Sequence, residues 1–448
     1  VFFSRKQQFK EIFFMIIDIT MANFRSIRDK QTFSLLAESA STKQEENVVP
    51  VEDKIHLLRS SGIYGANASG KSNLLLAFRA LRYMVYGSGV LEDGDPIPCY
   101  EPYRLNQATK TAPIDFEIEF FCPYQKKMTR FIYAISFDAH HIVFESLDFY
   151  PSQAKANLFK RHENDGWKNI RLNSRYKWGR RQHHSFFPNN SFLSKAGNSP
   201  DAPEIIRSVY NYFKKNIVHL GKDEDFSVLD WRDNPSMVAS VATILSKVDT
   251  GISNIQFRET DTSNIRIPEM FPEPLKQKIL AHESKKPFFQ HKGHNGEEEI
   301  FSENIESDGT KRLFKILPLL LRIFEEGSVL IMDELESSLH PHVAELIIKL
   351  FNNPIVNQKN AQLIFSTHNL QLMSPDLMRR DQIWLTEKRH GETLFSSLDD
   401  FDKNAVKMDS PFSKWYDEGR FGAIPQIDIA EISRIISSRI SDAKSSGE

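Results

Sequence analysis

The chain has 448 residues, 40% apolar and 26% charged, a globular balance long enough for two or more packed units. A formal charge of -2 argues against a surface covered in charge that neutralises nucleic acid, though it leaves room for a local basic groove. Only two cysteines, Cys99 and Cys122, occur, which excludes a disulfide framework or a four-thiolate zinc site and fits a reducing compartment.

Arg5, Lys6 and Lys10 precede a short apolar run at 12–17 that Asp18 ends without a small-residue cleavage site. The run is too short for a secretory leader, and no other stretch approaches the ~20 apolar residues that span a bilayer. A soluble cytoplasmic protein without a membrane partner is expected, with residues 1–14 an extension outside the fold. Residues 15–36 read as two strands around a turn at 28–30, residues 61–65 as a short apolar strand, and residues 71–86 as a helix. From 115 to 150 the pattern alternates through DFEIEFF, RFIYAISF and HIVFESLDFY, the signature of an antiparallel sheet.

Between 151 and 300 the composition turns polar and basic, with helical stretches near 202–216 and 235–248. This interval is read as an inserted, mainly helical subdomain. After 300 a helix at 310–326, strands at 328–332, 361–366 and 382–387 and a helix at 341–351 alternate, as in a parallel α/β sheet. Residues 15–150 and 301–428 are therefore the two halves of one head, and 429–448 a tail.

The string GANASGKS at 65–72 matches G-x-x-x-x-G-K-[ST] between a strand and a helix, the setting of a phosphate-binding loop. Gly65 and Gly70 let backbone N–H groups turn inward where a Cβ would intrude, with Ala66, Asn67, Ala68 and Ser69 completing the loop. Lys71 can reach the β- and γ-phosphates of ATP, and the Ser72 hydroxyl can ligate Mg2+. SVLIMDE at 328–334 is a buried strand ending in two acids, Asp333 for magnesium and Glu334 for the attacking water. Asp333 stands 262 residues beyond Lys71, so a domain is inserted between them, as in ABC-type ATPases. No Asn-Lys-x-Asp string for guanine is present.

His368, next to last in QLIFSTHN at 362–369, has the position of a γ-phosphate sensor. Upstream, ESDGTKRL at 306–313 opens a helix, where Ser307, Asp308, Gly309 and Thr310 form either a second anion cradle or an ordinary helix cap. All four elements in order favour the cradle. In this class it covers phosphates held by a second subunit, so a head-to-tail homodimer, or a higher homo-oligomer, is expected.

These residues, together with NFRSIRD at 23–29, NNSFLSKAGN at 189–198, VDTGI at 248–252, RRDQIW at 379–384 and EGRFGAIP at 418–425, resemble the abortive-infection ATPases of the RloA/AbiLi type. That group is related to the OLD and RecF/SMC-like ATPases, and the resemblance spans about residues 15–428. It implies an α/β, ABC-type P-loop head with an antiparallel side sheet, ATP and Mg2+ as ligands, Ser337 to His340 as a loop touching the partner subunit, and Gln107 as the magnesium-lining glutamine. It further implies antiphage defence with a separately encoded effector, such as a TOPRIM-like nuclease. With roughly twenty residues after EGRFGAIP, the effector is expected on another polypeptide. Pro318 is expected to bend the helix or break its hydrogen bonding.

Two other functions compete: a RecF/SMC-like repair ATPase that clamps DNA, and a scaffold that binds ATP without turnover. No sustained heptads support the first, and Glu334 with His368 speaks against the second. Arg175, Lys177, Arg180 and Arg181, interleaved with Tyr176 and Trp178, could contact nucleic acid or an acidic partner. His140, His141, His291 and His294 read as surface histidines, and Arg420 as a residue able to reach a phosphate or a neighbouring subunit.

Overall fold

The computed structural model describes residues 13–38, 44–163, 170–173, 185–221, 231–248, 250–262, 267–268, 271, 273–402, 405–407, 409–422 and 428–445. The basic-aromatic stretch 175–184 lies outside the described residues. Among them no helix is long and apolar enough to cross a membrane.

Two sheets build the head. The first has seven strands, in the order Arg171–Leu172, Ala156–His162, Ile142–Phe149, Lys127–Phe137, Ile114–Tyr124, Met15–Ala22 and Gln31–Ser34, every pairing antiparallel. Strand Lys127–Phe137 buries every second residue (Phe131, Tyr133, Ile135 and Phe137), because its alternating sequence puts one face on the core.

The second sheet runs Ile217–Leu220, Val329–Met332, Gln362–Ser366, Ser60–Gly65, Ile383–Arg389, Glu392–Ser397. Its first five strands are parallel and the last closes an antiparallel hairpin. Parallel strands buried on both faces need continuous apolar runs, which VLIM and the LIF centre of QLIFS supply. Val329, Ile331 and Ile364 face the core shared with helix Lys71–Tyr86 and the antiparallel sheet. Leu330, Met332, Leu363 and Phe365 face the opposite core, under helices Asp308–Glu326 and Pro341–Asn352. Each such buried Leu or Phe contributes about 1.5–3 kcal/mol.

Buried Gln362 ties the two sheets together. Its side chain accepts from Ile16 N (2.6 Å) and donates to Ile16 O (3.1 Å) and Leu58 O (3.0 Å), at the point where strand Met15–Ala22 shifts register.

The 151–300 interval differs from a mainly helical insertion. It holds helices Phe192–Gly197, Glu204–Asn211, Pro235–Leu245 and Glu273–Ser284, but also strands. Ile217–Leu220 is an edge strand of the parallel sheet, and Ile252–Glu259, Lys285–Lys292 and Glu298–Ser302 form a three-stranded antiparallel sheet. The cause is local: IVHL is a short β-branched run inside polar surroundings, and KKPFFQHK alternates Phe with polar residues. Helix Asp308–Glu326 continues through the buried Pro318, whose missing N–H removes one of its hydrogen bonds.

Candidate active site

Strand Ser60–Gly65, wholly buried, delivers the glycine-rich loop to the C-terminal edge of the parallel sheet. Two glycines there are geometrically required. Gly65 has φ +153°, and a Cβ on it would stand 2.3 Å from Thr386 Oγ1. Gly70 has φ +113°, and a Cβ would stand 2.1 Å from Thr393 Oγ1. The neighbouring hairpin holds the loop: Ser69 Oγ meets Thr386 Oγ1 at 2.6 Å, and Thr393 Oγ1 donates to Ser69 O at 2.7 Å. Asn73 Nδ2 donates to Ser26 Oγ (2.6 Å), which in turn lies 2.7 Å from Thr393 Oγ1.

Helix Lys71–Tyr86 begins at Gly70 without a side-chain cap, so its first N–H groups and its dipole face the loop. Lys71 Nζ donates to Gly65 O (2.8 Å) and Ala66 O (3.2 Å) and lies 3.5 Å from His368 Nδ1. Burial lowers its pKa from 10.5 to about 8, against the opposing pull of Asp333, Glu334 and Glu336.

The acids stand where strand Val329–Met332 ends. Asp333 N donates to Leu220 O at 3.0 Å, and Ser366 Oγ donates to Asp333 Oδ1. Glu334 has φ +48°, an unfavourable conformation for a residue with a Cβ, and its N–H is held by Ser366 Oγ at 2.8 Å. Asn67, Ala68, Gly70, Lys71, Ser72, Asn73, Asp333, Glu334, His368 and Lys388 together line one cleft of about 300 Å³. A second cavity, about 420 Å³, continues it past Asn73 and Lys388 to Arg25, Glu101 and Tyr103.

Hard oxygen donors (the Ser72 hydroxyl and the Asp333 carboxylate) beside a loop that a Cβ would fill are the chemistry of a magnesium–phosphate site. The sequence motifs missed two polar groups here. Lys388 joins the cleft from the sheet, and Glu336 Oε1 accepts the His368 N–H at 2.6 Å. The other Glu336 oxygen is buried with no hydrogen-bond partner among the described residues.

Ser307, Asp308, Gly309 and Thr310 do not line this cleft. Ser307 caps helix Asp308–Glu326, accepting from Thr310 N at 3.1 Å, while Gly309 packs against the 337–340 loop, where a Cβ would meet Ser338 O at 3.0 Å. Asp308 is exposed and pairs with Lys311. His291 is engaged with Glu306, just before Ser307, at 2.7 Å. Arg420 packs over Trp415 and pairs with Glu418.

Gln107 is not among the residues lining the cleft. It is exposed on a turn that Asn106 and Thr109 close with their own hydrogen bonds, Asn106 Oδ1 accepting from Ala108 N (2.9 Å) and Thr109 Oγ1 donating to Tyr103 O (2.7 Å).

No curated protein sequence matches the chain. Among solved structures it is similar to the SMC head domain from Thermotoga maritima, at 12% identity over 85% of this chain and 98% of that one, TM-score 0.39. It is also similar to the recombination mediator protein RecF with ATP, at 13% identity over 88% and 100%, TM-score 0.36. A third is cbiO1 from Clostridium perfringens, part of the ABC transporter complex cbiONQ, at 11% identity over 95% and 99%, TM-score 0.27. The family model described as "AAA domain, putative AbiEii toxin, Type IV TA system" matches residues 60–374, from the phosphate-loop strand to just past His368. With a glycine-rich loop, a lysine and paired acids at the edge of a parallel sheet, the chain is a P-loop protein and belongs to this AAA-domain family.

Proposed function

We propose that this protein hydrolyses ATP with Mg2+, closing as a head-to-tail homodimer around it, and regulates a separately encoded toxic effector in antiphage defence. The observation that carries the enzymatic part is the convergence of Lys71, Ser72, Asp333, Glu334 and His368 on one cleft. Lys71 and the helix N-terminus neutralise the β- and γ-phosphates, and the nucleoside lies along the adjoining cavity. Ser72 and Asp333 would hold Mg2+, which offsets charge on the phosphate oxygens when bound. Glu334 takes the proton of the attacking water, and His368 senses the γ-phosphate from the next strand.

The placement of Ser307–Thr310 outside the chain's own cleft supports a partner's site as their destination. The biological role is supported by the resemblance to RloA/AbiLi-type ATPases and by the toxin–antitoxin wording of the family description. The effector is expected to be a nuclease of the TOPRIM-like kind.

Glu334→Gln tests the reading. ATP affinity should hold while turnover falls by roughly 10²–10⁴-fold, the worth of a general base, with a closed dimer accumulating in light scattering. Unchanged steady-state hydrolysis would reject Glu334 as the base.

A further inference from the structure

The phosphate cleft and the cavity that continues it share two lining residues, Asn73 and Lys388. Asn73 is occupied, its Nδ2 donating to Ser26 Oγ and its Oδ1 accepting from Arg25 Nη1 at 3.2 Å. Lys388 is, among the described residues, the one cation that lines both spaces.

The hairpin dictates where this side chain goes. Residues two apart on a strand share a face, and directly opposed residues of an antiparallel pair point to the same side. Thr386, Lys388 and Thr393, the cross-strand partner of Lys388, therefore form one group on one face. Both threonines meet the phosphate loop, Thr386 at Ser69 Oγ and Thr393 at Ser69 O. Thr386 is in register with Gly65, and Lys388 stands two residues, about 7 Å, further along the strand. Its stem thus leaves the sheet on the loop side, beyond the edge where the phosphate loop begins.

The neighbouring charges are already engaged. Lys71 donates to two loop carbonyls, and Arg25 pairs with Glu101. Glu387 and Arg389, on the opposite face of the strand, pair with each other at 2.9 Å, and Glu392 pairs with Arg28 at 3.0 Å. Among the described residues the exposed Lys388 ammonium has neither an ion pair nor a hydrogen bond.

We propose that Lys388 binds the α-phosphate of the nucleotide, at the joint between the phosphate cleft and the nucleoside cavity. The inference rests on the reading of the loop as the ATP cradle. With Lys71 directed at the β- and γ-phosphates, a second ammonium at the joint offsets the charge that remains. The α-phosphate takes no part in the bond that breaks, so the contact holds substrate and transition state alike. Its loss should raise KM and spare kcat.

Lys388→Gln in the full chain is compared with the parent by calorimetry in the presence of Mg2+. ATP and inorganic tripolyphosphate should each bind about tenfold more weakly, the worth of one hydrogen bond to a charged group. Pyrophosphate, which ends before the α position, should change less than twofold. KM for ATP should rise in step with kcat held within twofold, and Lys388→Arg should recover most of the affinity. Unchanged ATP affinity would overturn the assignment. So would weaker ATP with unaffected tripolyphosphate, which puts Lys388 on the nucleoside, or a kcat loss at constant KM, which puts it on the γ-phosphate. Gly70→Ala in parallel separates the two readings. If that variant also binds ATP normally, the cradle itself has failed; if Lys388→Gln alone does, only the role of this lysine falls.

Discussion

Two helices in this molecule start with the same ingredients, a small residue and a glycine at an N-terminus, and end up differently. Helix Lys71–Tyr86 begins at Gly70, whose missing side chain leaves the first N–H groups uncapped and turned toward a lysine and two acids. Helix Asp308–Glu326 begins at Ser307, whose hydroxyl satisfies Thr310 N within its own turn. An anion site thus needs more than a helix dipole. It needs donors that the chain has not already used and opposing charges that converge.

The comparison can be broken at its strongest point with Gly70→Ala. A methyl group 2.1 Å from Thr393 Oγ1, at a φ that disfavours any Cβ, should cost at least about 100-fold in ATP affinity by calorimetry. Tight binding by that variant would mean the loop is not the phosphate cradle. Next, Ser307→Arg should leave ATP affinity of the monomer intact and cut turnover by about 100-fold, with no ATP-dependent dimer in sedimentation. Its companion, Ser307→Ala, loses only the cap, worth ~1 kcal/mol, and should lower Tm by a few degrees. If both variants hydrolyse ATP normally, the second helix start is a cap and nothing more.

The pH dependence sharpens the contrast further. Lys71, depressed to about 8, is charged in the free protein below that pH and neutral above it. ATP affinity should therefore fall as pH rises through about 8, by up to roughly tenfold per unit, and Lys71→Met should flatten the profile. Stability responds the other way. Between about 8 and 10.5 the unfolded chain holds the proton that the folded chain has released, so this group adds stability as pH rises. Lys71→Met should accordingly gain most over the parent below pH 8, in thermal melts. The smallest effect is expected at Glu336. Glu336→Gln keeps an acceptor for the His368 N–H, so kcat should drop only severalfold with KM unchanged, whereas Glu336→Ala should drop it further.

What the sequence made legible follows from how local each signal is. The loop, the acids and His368 each sit on a contiguous string with a strand before it, and their strands are buried throughout. Thr386 and Thr393, which hold the loop through Ser69, come from a hairpin over 300 residues away in the chain and carry no motif. Strand Glu392–Ser397 was not expected, because ETLFSS is short and half polar. Glu336 and Lys388 carry no motif of their own; only the fold sets one against His368 and the other over the cleft. The position of Gln107 depends on the fold in the same way. A glutamine's role depends on where its turn is carried, and local hydrogen bonds keep that turn on the outside.

Strand Gln362–Ser366 is only five residues long, about 17 Å, yet both of its ends are engaged. At one end Ser366 grips the backbone and side chain of the acid pair; at the other Gln362 is bolted to Ile16 in the other sheet. The acid pair and the antiparallel sheet are thus fastened to opposite ends of one buried strand, so the seam between the two sheets and the catalytic edge share a single element.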